Sequence, residues 1–199
     1  MFITFEGIDG SGKSTVASYV PKRLKGYPIV ITSEPTHTPL GDMIRERILS
    51  GSDPVEVTFL FLADRASHSQ EIKRHLQKGE IVICDRYHDS TIAYQGVLLS
   101  EILNGKDASG FLEGMWKFYP KPDATLLFII DPEKAIERIS SRKQKTSYEH
   151  IDFLARVQNE FIRIEKKEPD RFIRVDSDRP LKDLVNDVVE KIKTLISHR

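Results

Sequence analysis

Near its start the chain carries Gly7-Ile8-Asp9-Gly10-Ser11-Gly12-Lys13-Ser14, which matches the spacing G-x-x-x-x-G-K-[ST] at every position. Glycines here let consecutive backbone N–H groups face one concavity, which suits the oxygens of a phosphate. The lysine of this spacing reaches the β- and γ-phosphates of a nucleotide, and the hydroxyl after it ligates Mg²⁺. We therefore expect a nucleotide site in which Lys13 acts in catalysis. The candidate residues for binding the nucleotide are Gly7, Asp9, Gly10, Ser11, Gly12, Lys13, Ser14 and Thr15.

A second candidate pair, Asp85-Arg86, directly follows the apolar run Ile81-Val82-Ile83-Cys84. A carboxylate at a strand end beside a phosphate loop commonly orients Mg²⁺, and an arginine can clamp a phosphate with two hydrogen bonds. We therefore expect Ser14 and Asp85 to be the metal ligands and Arg86 to act in catalysis. A salt bridge at the strand end is the alternative. Cys84 is expected to be a buried structural thiol.

Phe61 and Arg65 stand four residues apart on a predicted helix, so they share one of its faces. An aromatic plane and a guanidinium suit a nucleobase, by stacking and by hydrogen bonding. Phe61 also belongs to the apolar run Phe59–Leu62, where a core position is the default interpretation. The spacing alone leaves both interpretations open.

A third group of charges, Arg142, Lys143 and Lys145, lies between two predicted helices. One interpretation is a solvated loop. The other is a mobile cationic lid, at about residues 140–149, which covers a bound nucleotide and excludes water.

The elements that must position these residues alternate between strands and helices, which predicts an α/β fold with a parallel sheet covered on both faces. Strands are expected at about residues 2–5, 28–32, 80–84, 124–130 and 171–175, the last at a sheet edge. Helices are expected at about 13–25, 40–49, 54–78, 88–99, 111–118, from 132, 149–167 and 181–196. Asp53 and Asp131 each precede a proline and read as helix caps. Trp116 and Phe118 are expected in the core or at a subunit contact.

Composition narrows the class of protein. The 199 residues suffice for one α/β domain, and no linker divides them, so a single domain over 1–199 is expected. Thirty basic residues balance thirty acidic ones, which argues against a general binder of nucleic acid or of membrane surfaces. No apolar run approaches the ~18 residues of a membrane span. The phosphate loop leaves no room for a signal peptide before it, and the single cysteine excludes an internal disulfide, so we expect a cytoplasmic enzyme.

The chain resembles the thymidylate kinase family, within the nucleoside-monophosphate kinase group of P-loop proteins. The resemblance covers nearly the whole chain and is carried by FEGIDGSGKST at 5–15, Glu34-Pro35, LFLADRASHSQEI at 60–72 and GEIVICDRYHDSTIAYQG at 79–96. It implies a three-layer P-loop fold with a five-stranded parallel sheet and helices on both faces. It also implies a homodimer that transfers the γ-phosphate of ATP to dTMP, giving dTDP, with Mg²⁺.

The resemblance further implies individual roles. Phe61 would stack on thymine, Arg65 would contact the base edge, and Arg86 would hold the acceptor phosphate. Asp9 would lie near the acceptor's sugar and phosphate and take part in catalysis, and Tyr94 would crowd the 2′ position of the sugar. The residues expected to bind the acceptor are Glu34, Pro35, Phe61, Arg65, Arg86, Ser90, Tyr94 and Gln95.

Two departures from the family pattern concern positive charge. Ser33 stands where the family often has an arginine before Glu34-Pro35, and His37 is a candidate substitute. Gly10 stands where some members have an arginine inside the phosphate loop. We therefore expect the lid to supply the catalytic charge, from Arg142 first and from Lys145 second.

Three other functions fit parts of the sequence. A kinase for another nucleotide or for a deoxynucleoside is the nearest, although Arg65 and Arg86 favour an acceptor that already carries a phosphate. A GTP-dependent switch would need an N-K-x-D motif, which the chain lacks. A nucleotide-binding module without catalysis is the third, and only turnover distinguishes it.

Overall fold

The computed structural model describes residues 1–106, 108–140 and 150–198. Within them, strands lie at Phe2–Gly7 (β1), Ile29–Ser33 (β2), Ile81–Asp85 (β3), Ala124–Ile129 (β4) and Phe172–Asp176 (β5). They form one sheet in the order β2-β3-β1-β4-β5, and every neighbouring pair is parallel. The predicted α/β class and the five-stranded parallel sheet are therefore confirmed, as is the edge position of β5.

Helices connect these strands, as parallel pairing requires. The described helices are α1 (Lys13–Arg23), α2 (Pro39–Leu49), α3 (Pro54–Gln77), α4 (His88–Ile102), α5 (Ser109–Gly114), α6 (Pro132–Ile139), α7 (Ile151–Lys167) and α8 (Leu181–Ser197). Two short 3₁₀ turns lie at Met115–Phe118 and Pro169–Arg171. In the described part of the chain, none of the helices combines the length and the apolar character that crossing a membrane requires.

Alternate residues of β1 enter different parts of the core, because successive side chains of a strand point to opposite faces. Ile3 and Phe5 pack with residues of α1 and α8 on one face of the sheet. Phe2 packs with Ile72 of α3 and with Tyr87 on the other face. Thr4 and Glu6 share that second face and are also fully buried. The sheet is thus covered by helices on both faces, as predicted.

Several expected boundaries differ from the observed ones. Pro21 lies in the last turn of α1, and the helix ends at Arg23 rather than at Lys25. Strand β3 extends to Asp85, so this carboxylate belongs to the strand itself. Helix α4 continues past Leu99 to Ile102. Phe118 is 65% exposed and lies outside the core, so its expected alternative position at a subunit contact stays a prediction.

The predicted caps are confirmed. The Asp53 carboxylate accepts a hydrogen bond from the Val55 N–H at the start of α3. The Asp131 carboxylate accepts one from the Glu133 N–H at the start of α6. Cys84 is fully buried, as expected.

Candidate active site

Three segments that carry the predicted site residues leave the sheet on the same side, at the carboxyl ends of its strands. Phe5 of β1 lies opposite Asp85 of β3, and Asp85 lies opposite Ser33 of β2. The phosphate loop, the Asp85–Tyr87 turn and the Glu34–Pro35 loop therefore begin side by side at the carboxyl ends of adjacent strands. Ligands of open parallel sheets bind at such ends.

The glycines of the phosphate loop are required by close backbone approaches. Gly7 and Gly10 have φ angles of 139° and 81°, which residues with a side chain rarely adopt. A Cβ at Gly7 would lie 2.4 Å from the Phe128 carbonyl oxygen, and one at Gly10 would lie 2.3 Å from that of Ala135. No side chain fits at position 10 beside α6. The absence of a loop arginine here is therefore a consequence of the backbone packing.

Lys13 closes the loop from inside. It is the first residue of α1 and is almost fully buried, and its Nζ donates to the Ile8 carbonyl at 2.9 Å and to Ser11 Oγ at 3.1 Å. Burial, together with the Arg86 charge, lowers the pKa of Lys13 to about 8. Ser14 and Thr15 follow in the first turn of α1, with exposed side chains. This turn also carries the positive end of the helix dipole.

Asp9, Arg86 and Tyr94 form one cluster. Arg86 Nη2 donates to Asp9 Oδ1 at 2.7 Å, and the Tyr94 hydroxyl donates to Asp9 Oδ2 at 3.0 Å. The Arg86 guanidinium lies 4.9 Å from the centre of the Tyr94 ring. Burial raises the pKa of Asp9, but the charges of Arg86 and Lys13 outweigh it, so this pKa lies below its ordinary value. Asp9 is therefore a carboxylate at neutral pH.

Arg86 reaches this cluster from an unusual backbone conformation. Its φ is 64°, in the left-handed region that costs a residue with a side chain roughly 1–2 kcal/mol. Its Nη1 donates to the Gly7 carbonyl and to Ser90 Oγ, each at 3.1 Å. Four predicted site residues, Asp9, Arg86, Ser90 and Tyr94, are thus brought together across the phosphate loop and α4.

A second cluster is centred on Arg65 of α3. Its side chain is fully buried, and Nη2 forms an ion pair with Glu34 and donates to Thr91 Oγ1 at 2.8 Å. Glu34 Oε1 also lies 2.9 Å from His68 Nδ1. Burial and the Arg65 charge lower the pKa of His88 well below its ordinary value, so this imidazole is neutral. It accepts from Arg65 Nη1 through Nδ1 and donates to the Leu112 carbonyl through Nε2.

The other residues expected to bind the acceptor nucleotide lie on the segments that form this cluster, namely α3, α4 and the Glu34–Pro35 loop. Phe61 is half-buried, one helical turn before Arg65. Pro35 follows Glu34 through a cis peptide bond. Gln95 is buried on α4, next to Tyr94. Within the described residues, Arg65 Nε is buried and has no hydrogen-bond partner.

One basic residue at this edge was not predicted from the sequence. Arg45 of α2 donates to the carbonyl oxygens of Pro35 and Thr36, at 3.0 and 2.7 Å. It therefore holds the loop that follows Ser33. The only signal was a basic residue on the helix directly after that loop. His37, the candidate substitute, has an exposed side chain.

The predicted metal ligands offer hard oxygen donors. Asp85 Oδ1 is buried and accepts no hydrogen bond within the described residues. The Ser14 hydroxyl is exposed at the start of α1. Mg²⁺ keeps several waters and is commonly held by one or two carboxylates together with substrate phosphates. The residues present therefore fit Mg²⁺ held jointly with a nucleotide. Arg142, Lys143 and Lys145 lie outside the described residues, and their role as a lid stays a prediction.

Comparison with known proteins agrees with this geometry. A family model described as "Thymidylate kinase" matches residues 5–188. A probable thymidylate kinase of Methanococcoides burtonii is 40% identical over 196 residues, which are 98% of this chain and 96% of the relative. One of Methanosarcina barkeri is 41% identical, over 98% of this chain and 97% of the relative. One of Natronomonas pharaonis is 36% identical, over 99% and 100%. The chain belongs to the thymidylate kinase family.

Proposed function

We propose that this chain transfers the γ-phosphate of ATP to dTMP, giving dTDP and ADP, as a single domain over residues 1–199. The observation that carries the proposal is the ion pair of Arg86 with Asp9, at 2.7 Å. It supports the proposal because an arginine suited to an acceptor phosphate lies directly beside the loop suited to the donor phosphates. Phosphoryl transfer needs this juxtaposition, because its catalysis consists mainly of positioning and of charge stabilisation.

On the donor side, the loop N–H groups and the start of α1 bind the ATP phosphates. Lys13 exchanges its contacts with Ile8 and Ser11 for phosphate oxygens. Mg²⁺, when bound through Ser14 and Asp85, neutralises charge on the phosphates. Without a nucleotide the pKa of Lys13 is about 8. The negative charge of a bound phosphate favours the protonated form of this lysine.

On the acceptor side, Arg86 binds the phosphate of dTMP, and Ser90 and Asp9 hold its guanidinium. Arg65 and Phe61 bind the base, and Glu34 and Thr91 already orient Arg65. Tyr94 packs over Arg86 and crowds the sugar. A guanidinium held on several sides loses little freedom when its ligand arrives, which favours binding.

A homodimer through α3 is part of the proposal. Val55 and Phe59 are 40% and 57% exposed, and Ala63 and Ala66 continue the same exposed stripe at helical spacing. Two large apolar side chains followed by two small ones let a second helix approach closely. Replacing Phe59 by Asp should convert a dimer to a monomer in light scattering. Phe111→Asp, at an exposed phenylalanine of α5, should leave the mass unchanged. A monomeric wild type would refute the dimer.

The decisive experiment measures ADP release with ATP, Mg²⁺ and one acceptor at a time. The acceptors are dTMP, dUMP, dCMP, dGMP and thymidine. We expect dTMP to give the highest kcat/KM. Faster turnover of thymidine would indicate a deoxynucleoside kinase, and no turnover of any acceptor would indicate a binding module. A cytoplasmic location, without a nucleic-acid partner, completes the proposal.

A further inference from the structure

Glu6 is a carboxylate buried at the end of β1, immediately before the phosphate loop. Its side chain has no exposed surface. Oε1 accepts the backbone N–H of Tyr87 at 2.9 Å, and Oε2 accepts the hydroxyl of Ser90 at 2.5 Å. Both partners flank Arg86, one following it in the chain and one a helical turn later. Glu6 itself is not among the residues assigned above to ATP, dTMP or Mg²⁺.

The first contact supports the backbone of Arg86. This residue has a left-handed conformation, and its turn is held by three groups: the Phe5 carbonyl, which accepts the Arg86 N–H, the Cys84 thiol, which donates to the Arg86 carbonyl, and Glu6, which accepts the Tyr87 N–H. A conformation of this kind persists where the surroundings over-determine it. Phe5 and Glu6 both belong to β1, but Phe5 contacts the turn through its backbone and Glu6 through its side chain.

The second contact sets the direction of a hydroxyl. Ser90 has one hydroxyl hydrogen, and it donates that hydrogen to Glu6 because an ionised carboxylate only accepts. The lone pairs of Ser90 Oγ then face Arg86 Nη1, which donates to them at 3.1 Å. The same Nη1 donates to the carbonyl of Gly7, the neighbour of Glu6. The charge on Glu6 therefore orients the Ser90 hydroxyl so that its oxygen, and not its hydrogen, faces the guanidinium.

We propose that Glu6 is a positioning residue for dTMP, which aims the Arg86 guanidinium at the acceptor phosphate through Ser90 and through the Tyr87 backbone. The role presupposes the proposed function, in which Arg86 binds that phosphate. A carboxylate is required because two acceptor atoms are used at once. Glutamine has the same size but only one acceptor, so it loses either the Tyr87 contact or the Ser90 orientation.

The test compares Glu6→Gln with the wild-type enzyme at pH 8, above the pKa of about 7 of Glu6. Calorimetry gives Kd for dTMP and for thymidine, and kinetics give kcat and both KM values. We expect Kd and KM for dTMP to rise about tenfold, the factor for one weakened hydrogen bond to a charged group. Kd for thymidine and KM for ATP should change less than about twofold, because thymidine has no phosphate and ATP binds mainly through the phosphate loop.

Two further variants make the test specific. Thr4 lies two residues before Glu6 in β1 and on the same face of the sheet. Thr4→Val removes the buried hydrogen bond between Thr4 and Thr125. It should leave all these constants unchanged. In a Ser90→Ala background the amide oxygen that Glu6→Gln introduces can keep accepting the Tyr87 N–H, because no hydroxyl competes for it. Adding Glu6→Gln there should weaken dTMP binding less than about threefold.

The proposal is overturned if Glu6→Gln weakens the binding of thymidine as much as that of dTMP. It is also overturned if Thr4→Val weakens dTMP binding about tenfold, or if Glu6→Gln still weakens dTMP binding about tenfold in the Ser90→Ala background. Failure of the proposed function gives a different result. In that case wild-type enzyme would bind thymidine as tightly as dTMP, and Arg86→Ala would not alter either constant.

Discussion

The Tyr94 hydroxyl holds Asp9 at two points, because it accepts the Asp9 N–H at 2.9 Å and donates to Asp9 Oδ2 at 3.0 Å. Tyr94 of α4 therefore links the acceptor side of the site to Asp9 of the phosphate loop. The ring and the hydroxyl of Tyr94 have separable tasks: the ring occupies space near the sugar and lies over Arg86, and the hydroxyl orders Asp9.

This separation predicts different results for two variants. Tyr94→Ala removes the ring, so the preference for dTMP over ribothymidine monophosphate should narrow, because the 2′-hydroxyl no longer clashes. Tyr94→Phe keeps the ring and should keep the preference, while kcat falls because Asp9 is less ordered. The ratio of kcat/KM for the two acceptors is the measurement. An unchanged ratio in Tyr94→Ala would count against a steric role.

Lys13→Ala should abolish phosphoryl transfer while the fold survives. Loss of a charge at the transferring phosphoryl group costs several kcal/mol, so kcat should fall on the order of 10²-fold or more. Circular dichroism and the melting temperature serve as the control for folding. Near-normal turnover by a folded variant would refute the role of the loop.

Arg65 is expected to affect stability as well as dTMP binding. Arg65→Ala leaves the buried Glu34 carboxylate without its guanidinium, which typically costs about 3–5 kcal/mol of unfolding free energy. The double variant Glu34→Gln/Arg65→Met removes both charges and should recover most of that loss in urea titrations. Both proteins should bind dTMP weakly and ATP normally. If ATP affinity fell as much as dTMP affinity, the assignment of the base site to this helix face would be wrong.

Glu6 predicts a pH dependence of stability. Burial and the Asp89 charge raise its pKa from 4.5 to about 7 in the folded protein. Between these values the folded state keeps a proton that the unfolded state has lost, so the unfolding free energy falls as pH rises, and it levels off above pH 7. The difference in pKa corresponds to roughly 3 kcal/mol. Urea titrations from pH 4.5 to 8 should show this loss in wild type relative to Glu6→Gln. Parallel curves for the two proteins would contradict it.

Arg142 is predicted to supply catalytic charge, since the backbone of Ala135 leaves no room for a side chain at position 10. Arg142→Ala should slow single-turnover chemistry at least about tenfold, because a guanidinium binds phosphate oxygens in a way that lysine does not. The affinity for dTMP should stay unchanged. Lys145→Ala is the comparison. If neither variant slows chemistry, the charge comes from another residue, and Arg86 is the next candidate.

Local patterns in the sequence determined much of the molecule. The glycine spacing before Lys13 indicated the phosphate loop, and the Asp-Pro pairs at 53 and 131 indicated two helix starts. The alternation of apolar runs with helical segments was enough for the parallel sheet. These features depend on neighbours within a few residues, so a single sequence carries them.

Only the tertiary structure decided how the site residues support each other. Glu6 meets Tyr87 across 81 positions, and Arg65 meets Glu34 across 31. Spacing placed Arg65 on a helix face but did not indicate that this face is buried against a carboxylate. Likewise, Gly10 is glycine because α6 packs against it. Such contacts depend on which strands become neighbours, and that is settled by the packing of the whole chain rather than by any segment of it.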